Sequence, residues 1–175
     1  MKKSALALLL VSILYSCDNQ VIQYPVSYQN DDFMQRSQER GKALLQEEIQ
    51  WFDDYQKKSD LKFNKTESGF WISNSGLKNN EMANVGDFIE FNYQVSTIDN
   101  QIIYPYSEIG TQKIIIGKAD IPRGLQAALQ LINPGEKVKI LLPSFLGYGG
   151  FGDENKIDAD QPIIMDVEVI RVNKK

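Results

Sequence analysis

The chain has 175 residues, 42% of them apolar and 24% charged, with 19 basic against 23 acidic side chains and a net charge of −4. That supplies the core of one domain and a little more, while the acidic balance speaks against a nucleic-acid face. With no histidine and a single cysteine, imidazole bases, Ser-His-Asp and Cys-His nucleophiles, His-ligated zinc, an intrachain disulfide and cysteine clusters are excluded, and no metal or cofactor is expected.

Residues 1–16 read as a signal peptide. Lys2 and Lys3 give the positive start, and Ala5 to Leu14 is apolar apart from Ser12, a run too short to span a bilayer. Leu14-Tyr15-Ser16-Cys17 resembles the bacterial lipoprotein signal, in which a diacylglyceryl group joins the cysteine sulfur and cleavage makes that cysteine the first mature residue. The resemblance implies lipidation at Cys17 and an extracytoplasmic place in the cell envelope, at the periplasmic face of the outer membrane. Residues 17–30, polar with Pro25, form a tether.

Residues 31–62 follow as an amphipathic helix. From Asp31 to about Ser59 there is no proline, and Asp32 with Gln35 resembles a capping box. Leu45, Ile49 and Phe52 fall at i, i+4, i+7, with Leu44, Trp51 and Tyr55 on a neighbouring stripe. Such a stripe serves equally for docking on its own domain and for pairing with a second copy, so a homodimer through this helix stays open.

Beyond Lys65 the pattern changes to strands. Gly69-Phe70-Trp71-Ile72 is a short one; Phe88 to Val95 alternates, placing Ile89, Phe91, Tyr93 and Val95 on one side. Asp99-Asn100 marks a turn, and Ile102 to Tyr106 and Lys113 to Ile116 are β-prone. Pro122 ahead of a Leu-, Ala- and Gln-rich run to Ile132 predicts a helix, which Asn133-Pro134-Gly135-Glu136 ends. Val138 to Leu142 and Ile163 to Val172 are strands, separated by a glycine-rich loop over 143–161. The order predicts an α+β fold, a curved antiparallel sheet wrapped around one short helix.

Five pieces in this order carry a family resemblance: Gly86-Asp87 before the strand with Tyr93; Gly117-Lys118 with Ile121-Pro122-Arg123-Gly124-Leu125; Pro134-Gly135-Glu136-Lys137; Leu142-Pro143-Ser144-Phe145-Leu146-Gly147-Tyr148-Gly149; and Asp166-Val167-Glu168-Val169. Together they resemble the FKBP-type peptidyl-prolyl isomerases. The domain then runs over 65–175, with its core match over 86–172. The helical preface, Thr66-Glu67-Ser68-Gly69-Phe70-Trp71 and the lipid anchor are similar to the gliding-motility-associated FKBP lipoproteins.

The resemblance implies rotation about an X-Pro amide, a reaction without a nucleophile or base, on proline-containing polypeptides and in aid of exported proteins. It implies a pocket with Tyr93 and Tyr104 as walls and Leu125 as floor. Ile121 would offer a backbone N–H, Tyr148 a hydroxyl, and Ile157 and Met165 the rim. Departures from the family pattern are Pro105, where many active relatives carry an acid, Leu125 in place of a tryptophan, and Gln112 in place of a phenylalanine. They imply a less aromatic pocket short of one carboxylate, with modest activity; a non-catalytic proline-binding module is the alternative. Asp153, Asn155, Asp158 and Asp160 are expected to form a solvated acidic loop, since the EF-hand glycine and bidentate glutamate are missing.

Overall fold

The computed structural model describes residues 31–73 and 81–175; the expected signal peptide, lipidation at Cys17 and tether lie outside them. Two units divide the chain, 1–39 and 40–175. Among the described residues the first holds only the opening of helix α1 (Asp31–Lys58), where Phe33 and Met34 are exposed. Gln35 there donates forward to Glu39 at 3.0 Å rather than back to Asp32, which already lies inside the helix. The expected capping box does not form.

The second unit is a seven-stranded antiparallel sheet. Its strands are β1 (Asn64–Lys65), β2 (Trp71–Ile72), β3 (Phe88–Ser96), β4 (Ile102–Tyr104), β5 (Gln112–Ile115), β6 (Lys137–Leu142) and β7 (Ile163–Asn173). Their spatial order is β1-β2-β6-β7-β3-β4, with β5 also on β3. β7 pairs with β6 from Lys137↔Glu168 to Leu142↔Ile163 and with β3 from Phe88↔Asn173 to Ser96↔Ile164. A bulge opposite Glu90/Phe91 leaves Ile170 exposed.

Alternation along the strands sends side chains to two faces. One face carries Ile72, Ile89, Phe91, Val95, Ile140, Leu142, Met165 and Val167, all buried against helix α3 (Arg123–Leu129) through its Leu125, Ala128 and Leu129. Pro122 precedes this helix and its carbonyl accepts the Gln126 N–H at 3.0 Å. Gly124 lets the first turn press onto the sheet, because a Cβ there would overlap the Leu142 side chain. The other face gathers Trp71, Leu141 and Ile164 under Phe52 of α1, with Phe52 and Trp71 rings 6.1 Å apart. Within the second unit the stripe of α1 is thus docked on its own sheet, with Leu44, Leu45 and Ile49 half-buried.

Two details depart from the expected elements. The β-prone run stops at Tyr104, because Pro105 cannot donate to a ladder; its carbonyl instead accepts the N–H groups of Glu108 and Ile109 and starts a short helix, α2 (Tyr106–Ile109). The loop after β6 contains two 3₁₀ turns, Ser144–Leu146 and Gly149–Phe151.

Candidate functional site

A hollow of about 490 Å³ opens between the entry to α3 and the loop after β6, lined by Ile121, Pro122, Phe145, Gly147, Tyr148, Gly149 and Asp153 among others. Tyr148 enters it from between the two 3₁₀ turns, half-buried against the core together with Tyr93, Tyr104 and Ile121. Burial pushes the Tyr148 phenol well above the ordinary tyrosine range, and the nearness of Tyr93, Asp153 and Tyr104 adds to the rise. It is therefore a neutral O–H donor throughout the working pH range. Among the described residues neither that hydroxyl nor the Ile121 N–H has a hydrogen-bond partner. The Tyr148 hydroxyl and the Ile121 N–H are thus left over at a cleft whose lining joins Pro122 and Phe145 to the charged Asp120, Arg123 and Asp153.

Tyr93 stands on β3 with its ring stacked on Phe91, centroids 5.7 Å apart, and burial raises its phenol too. Tyr104 closes β4. Its hydroxyl donates to Asp153 and accepts from Asn155 Nδ2 at 3.0 Å, and Lys156 Nζ sits 4.6 Å above its ring. The same ammonium reaches Glu108 at 2.6 Å and so fastens the loop to α2. Leu125 and Met165 are fully buried and Ile157 nearly so; these three belong to the packed layer around the hollow rather than to its lining. Ile121 and Tyr148 meet at the hollow, and Tyr93 and Tyr104 flank Tyr148.

The acidic loop differs from the expectation of a merely solvated segment. Asp153 Oδ1 accepts the N–H groups of Asn155, Lys156 and Ile157 at 3.0, 2.9 and 2.8 Å, folding the loop back on itself, while Oδ2 holds Tyr104. Partial burial pushes the Asp153 carboxyl up, but the bond from Tyr104 and the three backbone donors outweigh it, and the net shift is down. The hollow therefore does hold a carboxylate. It comes from the loop, whereas the position after Tyr104 is Pro105. Gln112, in turn, spends its amide on the Ile109 carbonyl at 2.9 Å, securing the end of α2. The signal for Asp153 was present in Asp-x-Asn-Lys-Ile, an aspartate followed by backbone donors that it can cap.

A second hollow, of about 420 Å³, lies between the end of α1 and the β3–β4 turn, lined by Trp51, Asp54, Tyr55, Ile98 and Asn100 among others. Three of its polar side chains are engaged: Tyr55 donates to Asn100 at 2.9 Å, and Asp54 pairs with Lys57 at 2.9 Å, while Lys58 and Asp99 also line it.

The model of the FKBP-type peptidyl-prolyl cis-trans isomerase family matches residues 79–170. The peptidyl-prolyl cis-trans isomerase FKBP9 of Homo sapiens is 24% identical over 92 residues, 52% of this chain but 16% of that protein. FKBP11 of Bos taurus is 32% identical over 90 residues, 51% of this chain and 44% of that one. The chain thus spans less than half the length of these curated relatives. Among solved structures, a peptidyl-prolyl isomerase of Pseudomonas syringae superposes with a TM-score of 0.61 at 19% identity, covering 76% of this chain and 96% of that one. FkpA of Escherichia coli gives 0.59 at 18% identity, covering 99% and 82%. At these identities the likeness is one of fold.

Proposed function

The chain belongs to the FKBP-type peptidyl-prolyl cis-trans isomerase family, and from that premise we propose that the hollow at Tyr148 turns X-Pro bonds of polypeptide substrates. The barrier is amide resonance, about 18–20 kcal/mol, and uncatalysed exchange takes on the order of tens to hundreds of seconds. The planar amide is more dipolar than the twisted one, so a site poor in water favours the twisted form; each ~1.4 kcal/mol of that preference is tenfold in rate. The apolar part of the lining, Pro122 and Phe145 with Ile121, would receive the prolyl ring. The Ile121 N–H and the Tyr148 hydroxyl would meet carbonyl oxygens of the substrate backbone, fixing its direction while the bond between them turns. Asp153 holds Tyr104 in place at the edge. The observation that carries this reading is the unpartnered Tyr148 hydroxyl and Ile121 N–H at one hollow.

The test is cis/trans exchange of short X-Pro peptides followed by NMR. Wild type should exceed the uncatalysed rate, and Tyr148→Phe should lose about threefold to tenfold in kcat/KM, the worth of one net hydrogen bond. Exchange at the uncatalysed rate would leave the second reading, a proline-binding module without turnover. That reading is favoured by Pro105 and by Leu125, a fully buried aliphatic residue where the family pattern has an aromatic floor.

The envelope setting belongs to the same proposal. The apolar run ending at Cys17 supports a lipid anchor, an extracytoplasmic place at the periplasmic face of the outer membrane, and service to exported proteins. The likeness to gliding-motility lipoproteins supports clients in a motility apparatus. Phe33 and Met34, exposed at the opening of α1, support contact there with a partner or a second copy. Fractionation should find wild type with membranes and Cys17→Ala in the soluble fraction; an unchanged distribution would overturn the anchor.

A further inference from the structure

The position of Glu48 has no explanation in the sheet core or in the hollow. It lies on α1, is 1% exposed, and among the described residues has no cation within ion-pair distance. Asp87, the other buried carboxylate, pairs with Lys174 at 3.3 Å. Glu48 instead turns both oxygens to one backbone group, the Ser144 N–H, each at 3.2 Å. Burial raises its carboxyl, Ser144 draws it back, and Asp160 and Glu47 push it further up. A buried carboxylate without a cation is costly, and an apolar residue would serve packing better. Its placement points to the group it holds.

Ser144 opens the 3₁₀ turn Ser144–Leu146, whose next residues, Phe145, Gly147 and Tyr148, line the hollow. Two turns earlier on the same helix, Arg40 Nη2 meets Asp160 Oδ2 at 2.5 Å. The Asp160 N–H donates in turn to the Gly149 carbonyl at 2.8 Å. Helix α1 therefore grips the loop on both sides of Tyr148, once through a buried bond and once through an exposed one.

We infer that Glu48, assisted by Arg40 through Asp160, is a positioning residue for the prolyl site: helix α1 braces the loop that carries Tyr148. This rests on the isomerase reading for its kinetic consequence but not for the bracing itself. The helix is then part of the machine that turns the substrate, in addition to covering the sheet.

The test uses the full chain with Glu48→Gln, Glu48→Leu and Arg40→Ala. Glutamine keeps an acceptor for the Ser144 N–H; leucine keeps the burial and loses the acceptor. Glu48→Leu should lower kcat/KM about tenfold, the scale of a lost hydrogen bond to a charged group, at a melting temperature equal to or above wild type. Glu48→Gln should restore it to within about twofold. Arg40→Ala, altering an exposed side chain, should fold normally and lose about twofold. Amide hydrogen exchange supplies a readout independent of turnover: Leu146 and Gly147 should exchange about tenfold faster in Glu48→Leu and at the wild-type rate in Glu48→Gln. Unchanged exchange in Glu48→Leu overturns the inference whether or not the protein isomerises. Should Glu48→Leu fail to fold, unchanged kinetics and loop exchange in Arg40→Ala overturn it. A wild type without turnover overturns the isomerase reading alone, and exchange still decides the brace.

Discussion

The two faces of the sheet are closed in different ways. Helix α3 is short and sits deep: Leu125, Ala128 and Leu129 have no exposed surface, and their partners come from β2, β3, β6 and β7. Helix α1 is four times as long yet buries Phe52 alone among its apolar side chains, on Trp71, Leu141 and Ile164. The difference separates two jobs. The α3 face supplies cohesion and fixes the floor around the hollow. The α1 face is thinner, and what it adds is a grip on the loop.

The sharpest break of this comparison uses neighbours on one strand. Ile140 and Leu141 are both fully buried on β6 but point to opposite faces. Ile140→Ala should cost about 4 kcal/mol of unfolding free energy, because the α3 face is enclosed and cannot settle onto the smaller side chain. Leu141→Ala should cost about 2.5 kcal/mol, since α1 can move onto the gap. Urea unfolding measures both, and equal costs would dissolve the distinction.

Next in size is Gly152→Ala. Gly152 has φ +68°, and a Cβ there would overlap the Ile157 carbonyl oxygen. About 2 kcal/mol of strain should appear, with a larger loss of turnover than of stability, because the distorted turn adjoins Asp153 and Tyr148. A loss confined to stability would show that the loop's shape is irrelevant to the site.

Asp153→Asn should cost about 1 kcal/mol by weakening the hold on Tyr104. Its pH dependence carries a sign. The folded carboxyl lies below its ordinary value, so its contribution is complete above the ordinary carboxylate range and disappears as pH falls through the lowered value. Stability of the variant relative to wild type should therefore converge on acidification below roughly pH 4; a gap that widens there would contradict the assignment. Glu48 should behave oppositely, since its raised carboxyl makes a contribution that is full at low pH and lost as pH rises.

The smallest effect concerns Trp71, whose buried indole N–H has no partner among the described residues. Trp71→Phe removes that orphan along with some ring contact to Phe52, so unfolding should shift by less than about 1 kcal/mol. A loss above about 3 kcal/mol, the range of a deleted core aromatic, would mean that the α1 face is as tightly enclosed as the other.

Much of the architecture was legible because hydrophobic period is a strong local signal. Ile89, Phe91, Tyr93 and Val95 alternate as expected and share a face, and Leu45, Ile49 and Phe52 mark the docked stripe of α1. Tyr148, between glycines, stood out as a loop aromatic, although the structure packs it half-buried against the core. What escaped depends on partners distant in the chain. Asp153 read as one solvated acid among several, because its bond to Tyr104 spans 49 positions. Glu48 was hidden among charged neighbours, although it stands three residues after Leu45 and four before Phe52, inside the apolar stripe. An acid on such a stripe is itself a sign that a buried donor waits for it. The helix at Tyr106–Ile109 was masked by β-prone residues, with Pro105 as the overlooked start signal.

The place of β7 has a consequence for how each copy is made. Of the described strands it is the last to leave the ribosome, yet it lies between β6 and β3. Until it arrives, the nascent sheet exists as two separate halves, each with an open edge that can recruit a stranger. Closure is then an insertion between two waiting neighbours, a late and long-range step. A protein that we propose assists others in folding thus passes through an exposed stage of its own.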